Sequence, residues 1–510
     1  MMDQGKRLVI NTISNYASLG VNAVVGFFLA PYILTHLGKS SYGIWALTGS
    51  LLGYSQLLSL GLNSAVNRWV PMYLVEKNTD GINRVVNTTL FFYLLSSVIG
   101  AVGVAVLVYG FPDWFHVPPS LYTASRLTVA LVGAGFIAVV TLNVFSAVLS
   151  GLQRYDLTAA SDITSDLGRC TGIVAVLSMG YGLVSVAAVF AATIAVRGLL
   201  KAILAMRTCV ILRINLRLAQ WRTFRDMFGY SISTLMYTSG QLIQRQAALI
   251  LIGLLFGTTA VTEYAMPLII ISLVVRLVMS GSAAMKPAAT HLDTLDRPQQ
   301  VRKLYLLGTK YALLIALPAI AFFIAYAGPI LRIWLREGYM ASGPMLLSIL
   351  AGGAAFYLWH LPAFFIVVGM GKHRMFGVLT LVTAALSLLA AIILGVVLKM
   401  GVVGVAIGFS SSQAAIAIFL ITPYCCRCVG MSVWRELSDS LAPALLATLP
   451  FVVLLIGARL FFQPDNISGL LGLGIVLVVP LLFGWWFWGF SNEDKLRFVH
   501  VLPMKKFFNR

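Results

Sequence analysis

A chain of 510 residues that is 59% apolar and only 10% charged lies far from a soluble domain, in which roughly 25% of residues are charged. The shortage of charge runs along most of the chain, which excludes a soluble enzyme held on one anchor and points to an all-α polytopic membrane protein. The formal net charge of +19, from 36 Lys and Arg against 17 Asp and Glu, would suit a nucleic-acid partner, but the placement of the charges decides otherwise.

The N-terminus, MMDQGKRLVI, enters a long apolar run with no small-residue cleavage site, so residues 8–36 are read as a first span and not as a removed signal peptide. Segments of about 20 residues or more, each able to cross roughly 30 Å of hydrocarbon at 1.5 Å per residue, follow. They lie at 42–73, 85–110, 121–150, 157–179 and 182–207, which completes an N-terminal six-helix lobe, 1–207. An arginine-rich linker, 208–226, leads to a second six-helix lobe at 227–425. Its spans are 227–256, 260–290, 303–330, 341–369, 375–399 and 402–425. Two additional spans (439–462 and 467–490) and a basic tail (491–510) bring the expected total to about fourteen. The connections are too short for a soluble catalytic domain.

Positive charge sets the orientation. Lys77, Arg84, Arg154, Arg213, Arg217, Arg222, Arg225, Arg297, Arg302, Lys303, Lys372 and Arg374 fall in even-numbered connections or at their edges, whereas Lys39, Arg332, Arg336 and Lys399 alone fall in odd-numbered ones. Both termini and the basic loops are therefore expected in the cytoplasm, and most of the charge is explained with no nucleic acid. The WWFW run at 485–488 suits an interfacial aromatic belt.

Ten cations remain inside the assigned spans. Arg68, Arg126, Lys286 and Arg459 lie near span ends and can snorkel. Arg169, Arg197, Arg245 and Arg276 are deeper, and arginine cannot be discharged by burial. Asp162, Asp166 and Glu263 are the intramembrane acids, so the interior is basic in excess.

Landmarks recur at a nearly constant offset: Gly38 with Gly257, Gly151 with Gly369, and Met179 with Met400. About six spans are thus repeated. Six is even, so the two lobes share an orientation, as in transporters that rock one repeat against another around a central path. Polar stripes mark that path. Asn11, Asn15, Ser18 and Asn22 share one face of span 1, and Thr234, Thr238, Gln241 and Arg245 share the equivalent face of span 7. At the position of Arg245 the first lobe has Gly26, so the stripe is shared and the cation is not.

The segment LGKSSYGIWALTGSLLGYSQLLSLGLNSAVNRW carries Leu37, Gly38, Tyr42, Gly43, Trp45, Leu57, Leu58, Leu60, Gly61, Leu62 and Ala65. With GLQRYD and GVVGVAIGF further on, it resembles the polysaccharide-transporter (O-unit flippase) branch of the multidrug/oligosaccharidyl-lipid/polysaccharide exporter superfamily. The resemblance implies a MATE-like fold of two parallel six-helix lobes around a central cavity. It also implies a flippase that moves an undecaprenyl-diphosphate-linked oligosaccharide across the bacterial inner membrane for O-antigen, capsule or exopolysaccharide export. A polysaccharide polymerase and assembly proteins are the partners such a role suggests.

The residues bear on substrate class. Guanidinium groups offer charge and forked donors to a diphosphate, and Asn, Gln, Ser and Tyr suit sugar hydroxyls. Arg245, Arg276, Arg197, Gln241, Asn22 and Asn15 are the candidate substrate-binding residues; a structural role, bonded to helix-end carbonyls or a nearby acid, is the competing reading for Arg245 and Arg276, and a lipid-facing or interlobe role is that for Arg197. Asp162 and Asp166 stand one turn apart with Arg169 one turn beyond, so they are either neutralised locally or bind a coupling proton or sodium ion. No other cofactor is expected. A cation-coupled drug or small-solute exporter of the same superfamily is one alternative function, and a membrane glycosyltransferase or ligase is another.

No enzyme signature is present. HLGKSS lacks the earlier glycine of a phosphate-binding loop, and neither an HExxH helix nor a GxSxG elbow occurs. The CCRC cluster of Cys425, Cys426 and Cys428 lacks a fourth ligand for zinc and is read as inert thiols, as are Cys170 and Cys209. His360, beside Pro362, is expected to be a hydrogen-bonded packing residue, with proton relay as the alternative.

Overall fold

A computed structural model describes residues 4–336, 341–372, 374–491 and 495, with side chains at all of these except 4–13, 15, 233, 234, 237 and 374. Among the described residues there is no strand, and helices form nearly everything. Two compact units divide the chain: Met1–Ile269 with Thr380–Leu388, and Ile270–Leu379 with Leu389–Arg510. The arginine-rich stretch 208–226 lies inside the first.

The first unit opens with α1 (Gln4–Gly53), α2 (Leu62–Val75), α3 (Thr79–Trp114), α4 (Tyr122–Gly151), α5 (Tyr155–Ser178) and α6 (Leu183–Thr208), and ends within α7 (Trp221–Ala283). A straight helix of 50 residues would be about 75 Å long, more than twice the hydrocarbon core. Gly38 resolves this for α1, because its φ of 78° and ψ of 170° turn the chain where an L side chain would be strained. Gly257 does the same in α7, with φ 80° and ψ 178°. The two glycines matched by the sequence repeat thus share one backbone conformation.

Eleven helices among the described residues are long and apolar enough to span a membrane. Two of them, Tyr16–Ser59 and Thr238–Thr294, contain a glycine elbow and count as two spans each. With α5, whose Asp156, Asp162, Asp166 and Arg169 lower its hydropathy, the expected fourteen are accounted for.

In this unit α2, α3, α4 and the end of α6 close over a core that includes Leu62, Val66, Val70, Ile82, Val86, Tyr93, Val148 and Ala205. The linker after α6 is not slack. Asn83 and Asn87, one turn apart on α3, face its extended backbone with both amide atoms. Arg213 N donates to Asn83 Oδ1 (2.6 Å), and Asn83 Nδ2 donates to Ile211 O (3.0 Å). Asn87 Nδ2 donates to Arg213 O (2.7 Å), and Asn215 N donates to Asn87 Oδ1 (2.8 Å). Gln220 N then reaches Thr88 Oγ1 at 3.1 Å. Phe92 and Phe224 stack at 3.6 Å and fasten the start of α7 to the same helix.

The second unit continues from α7 through α8 (Met285–Thr294), α9 (Pro298–Ala325), α10 (Ala327–Leu335) and α11 (Gly343–Gly369). It includes the two ends of α12 (Arg374–Ile392), then α13 (Gly401–Ile416), α14 (Thr422–Cys428), α15 (Val433–Glu436), α16 (Ala442–Phe461) and α17 (Ile467–Gly484). π turns interrupt the helical ladder at Ile393–Val397, Ala417–Ile421, Leu437–Leu441 and Trp485–Gly489. Bare backbone cradles the close approaches: a Cβ on Gly408 would lie 2.5 Å from Ala391 N, and one on Gly484 would lie 1.9 Å from Ala447 O.

Candidate functional site

The intramembrane charges of the first unit concentrate where α5 and α6 pack as a hairpin about Gly180–Gly182. Asp166, 3% exposed, faces Arg169 Nη2 at 2.9 Å one turn along α5 and accepts from Asn22 Nδ2 of α1 at 3.0 Å. Asp162 takes its partners from α6, with Lys201 Nζ at 2.7 Å and Arg197 Nε at 3.9 Å. Three cations therefore meet two carboxylates, with Arg169 also lying 5.7 Å over the Phe190 ring. Arg197 is within repelling reach of Arg169. Pairing is what makes such charges tolerable in a low-dielectric interior, and it commits most of them to one another.

The sequence pairs Asp162 and Asp166 with Arg169 alone. The hairpin register adds Lys201 and Arg197: in an antiparallel pair turning near position 181, residue 162 stands level with 201, and 166 with 197. That register was the available signal for Lys201.

Arg245 differs from these cations. It is exposed, and among the described residues it makes no hydrogen bond or ion pair. Its neighbours on α7 are polar. Gln241 is half-buried, Gln244 Nε2 is shielded from solvent with no hydrogen bond among the described residues, and Gln246 accepts from Ser50 Oγ through its backbone and side-chain oxygens, both at 3.0 Å. Arg276, half-buried in the second unit, donates from Nη2 to Ser272 Oγ at 3.3 Å and has further contacts. Asn15 lies outside the described residues in its side chain, as do Asn11 and Thr234.

A break in span 2 is a feature the sequence reading missed. After the elbow, α1 gives way to a 3-10 turn, Tyr54–Ser59, and Leu60 (φ 51°) and Gly61 (φ 67°) turn the chain left-handed before α2 resumes. Polar side chains gather there: Asn63 accepts from Tyr93 Oη at 2.8 Å, and Ser64 Oγ lies 3.3 Å from Ser231 Oγ. Interrupted helices at membrane depth occur where backbone is buried in protein or lines a cavity. The glycine in LSLGLNS was the only local hint.

The two elbows meet inside the first unit. Thr262 Oγ1 donates to Lys39 O at 2.7 Å, and Gly43 lies so close to α7 that a Cβ there would sit 1.8 Å from Thr258 O. Gly253 opposes Leu47 and Phe115 in the same way, its Cβ position lying 2.6 Å from Leu47 Cδ2.

Elsewhere, His360 is buried and its Nδ1 lies 2.8 Å from Phe356 O one turn back. The five cysteines are free thiols, and no group of three or more His, Cys, Asp or Glu among the described residues is arranged to hold a metal.

Residues 33–344 match the model of a family described as polysaccharide biosynthesis protein. The chain belongs to this family. It is similar to an uncharacterized membrane protein, EpsK, of Bacillus subtilis (strain 168), 23% identical over 407 residues that cover 78% of this chain and 79% of that one. A Shigella flexneri protein named as a candidate O-antigen transporter is 20% identical over 430 residues, covering 82% and 98%. The fold is shared with solved MurJ and MATE structures. The lipid II flippase MurJ in an inward closed conformation superposes with a TM-score of 0.72 at 13% identity, covering 94% of this chain and 98% of MurJ. An inward-facing multidrug resistance MATE transporter gives 0.69 at 16% identity, covering 80% and 94%. This polysaccharide biosynthesis protein is a multi-pass membrane protein.

Proposed function

We propose that the protein flips an undecaprenyl-diphosphate-linked oligosaccharide from the cytoplasmic to the extracytoplasmic leaflet of a bacterial inner membrane, with both termini in the cytoplasm. The substrate sets the physical problem: a diphosphate and a hydrophilic glycan must cross a medium that rejects both, while the polyprenyl tail can stay in lipid. The observation that carries the reading is the contrast among intramembrane cations. Arg169, Arg197 and Lys201 are engaged by Asp166 and Asp162, whereas Arg245 presents an uncommitted guanidinium beside Gln241 and Gln244. Such a fork can take two oxygens of a diphosphate at once.

In this reading Arg245 binds the diphosphate, and Gln241, Asn15 and Asn22 with neighbouring hydroxyls hold sugar. Asn22 already donates to Asp166, so it reports on that carboxylate as well as on the glycan. Asp162 and Asp166 remain the carboxylates for a coupling proton or sodium ion, by exchange of a cation partner. The elbow contact of Gly43 with Thr258 closes the extracytoplasmic ends of the two repeats against each other. A polymerase and assembly proteins would receive the flipped unit.

Arg245→Ala is expected to abolish surface polysaccharide in a flippase-deletion strain while the protein stays in the membrane and lipid-linked glycan accumulates facing the cytoplasm. Arg245→Lys, which keeps charge but loses the fork, should restore export partly. Full export by Arg245→Ala would remove the diphosphate site from Arg245.

A further inference from the structure

Glu436 is fully buried just ahead of the C-terminal hairpin of α16 and α17, outside the duplicated spans, and the transport reading gives it no role. It ends the single turn of α15, directly before the π turn Leu437–Leu441. Three neighbouring helices converge on its carboxyl. Tyr305 Oη of α9 donates to Oε2 at 3.0 Å, and Cys426 Sγ of α14 donates to the same oxygen at 2.9 Å. The Trp359 indole of α11 flanks the group. Oε1 and Trp359 Nε1 are both sealed from solvent without a well-formed hydrogen bond.

Among the described residues no cation is paired with this carboxyl. On its own segment Arg435 is turned to Asp439, 3.4 Å away at the surface. On α9, Arg302 gives Nε to Val429 O at 2.9 Å, and Lys303 is exposed. Lys372, ahead of α12, gives Nζ to Cys428 O at 2.8 Å, and Arg427 of α14 is exposed. The remaining titratable neighbours, Tyr305, Cys425 and Cys426, are neutral in their ordinary forms. A buried carboxylate surrounded only by neutral groups has lost its hydration with no charge in exchange. A phenol and a thiol can each donate to the ionised acid or turn to accept from the protonated one. The pocket can therefore hold both forms, which a fixed arginine partner would prevent.

We propose that Glu436 is a proton-binding site. The carboxyl carries a proton, shared with Tyr305 Oη, while α15 and the following hairpin pack against α9, α11 and α14. It gives that proton to water when the packing opens. The π turn supplies the joint, since one extra residue in a helical turn can shift in register, and Ser440 Oγ within it bonds Leu306 O at 2.8 Å, one residue from Tyr305. Cytoplasmic acidity would then bias how tightly the C-terminal hairpin is held, whatever the substrate.

The test uses the full chain in lipid nanodiscs without substrate, so its result stands apart from the flippase reading. Thermal unfolding of wild type should weaken progressively as the pH rises from about 6 to about 9, whereas Glu436→Gln, which mimics the protonated acid, should lose that slope. Labelling of Cys426 by a neutral maleimide, with the other cysteines replaced, should rise over the same range about 10-fold more in wild type than in Glu436→Gln. Tyr305→Phe, which keeps the ring and removes the hydroxyl, should displace the wild-type midpoint along the pH axis and supplies the answer if Glu436→Gln folds poorly. Identical pH profiles for wild type and a folded Glu436→Gln, or a Tyr305→Phe midpoint that does not move, would overturn the proposal.

Discussion

Ser40 Oγ lies 3.1 Å from Thr259 Oγ1, and the two residues are separated by 219 positions, the same offset as the glycine elbows Gly38 and Gly257. The contact therefore joins equivalent points of the two repeats, a relation that follows when a duplicated element packs against its own copy about an approximate two-fold axis. Hydroxyls this close put the Cβ atoms near disulfide range. Ser40→Cys with Thr259→Cys, in a background lacking the five native cysteines, is expected to cross-link on mild oxidation, as read by a gel shift after cleavage between the repeats. Adding Gly43→Ala should reduce the cross-link severalfold, since its Cβ would collide with Thr258 O. If the elbows are the closed extracytoplasmic gate, the cross-linked protein loses export and a reductant restores it.

The asparagine ladder on α3 makes the linker part of the first unit. Asn87→Ala removes two hydrogen bonds to backbone groups of Arg213 and Asn215, at a local cost of about 1–3 kcal/mol. The expected outcome is a linker that trypsin cleaves at Arg213 or Arg217 at least ~10-fold faster than in wild type, because cleavage of a folded chain tracks its local opening. Equal cleavage rates would mean that the Phe92–Phe224 stack holds the segment without the ladder.

How much of this was legible in sequence depended on whether the deciding contact was local. Apolar length gave the spans, and paired glycines at 38 and 257 gave the duplication, because each is written into a short stretch of chain. Asp166 with Arg169 was readable for the same reason, as neighbours one turn apart. Lys201 with Asp162 was not, since it depends on the register of a 24-residue helix against a 26-residue one. The break at Leu60–Gly61 was missed because an apolar run reads as continuous helix until a left-handed residue interrupts it. Arg245 was conspicuous in the sequence as a cation in an apolar run; that it makes no hydrogen bond or ion pair among the described residues depends on the tertiary placement of its neighbours.

Acid sensitivity should be visible at the start of α5. Arg154 donates from Nε and Nη2 to Asp156, both at 2.9 Å, and this hydrogen bond holds the Asp156 carboxyl below its ordinary range. A depressed folded pKa contributes stability above the unfolded value of about 3.9 and loses it as pH falls through the folded one. Both side chains are about one-third exposed (31% and 32%), so screening limits the pair to about 1 kcal/mol or less. Asp156→Asn is thus expected to lower the unfolding midpoint by on the order of 1–2 °C at neutral pH, and the difference from wild type should shrink progressively as the pH falls below about 3.9. A larger loss at neutral pH would show that Asp156 also caps α5 in a way the ion pair does not explain.

Asp162 offers the sharpest separation of structure from coupling. Lys201 is 13% exposed on its side chain, so Asp162→Asn strands a nearly buried ammonium, an arrangement that costs about 3 kcal/mol. Membrane yield of Asp162→Asn is expected to fall severalfold, and Asp162→Asn with Lys201→Met should recover it, because the second change removes the charge left without a partner. Export by the recovered double variant then decides the role. A purely structural pair predicts that export returns with yield, since nothing in transport needs the charges. A coupling carboxylate predicts normal yield with export still lost, because a neutral pair has no site for a proton or sodium ion to exchange against Lys201.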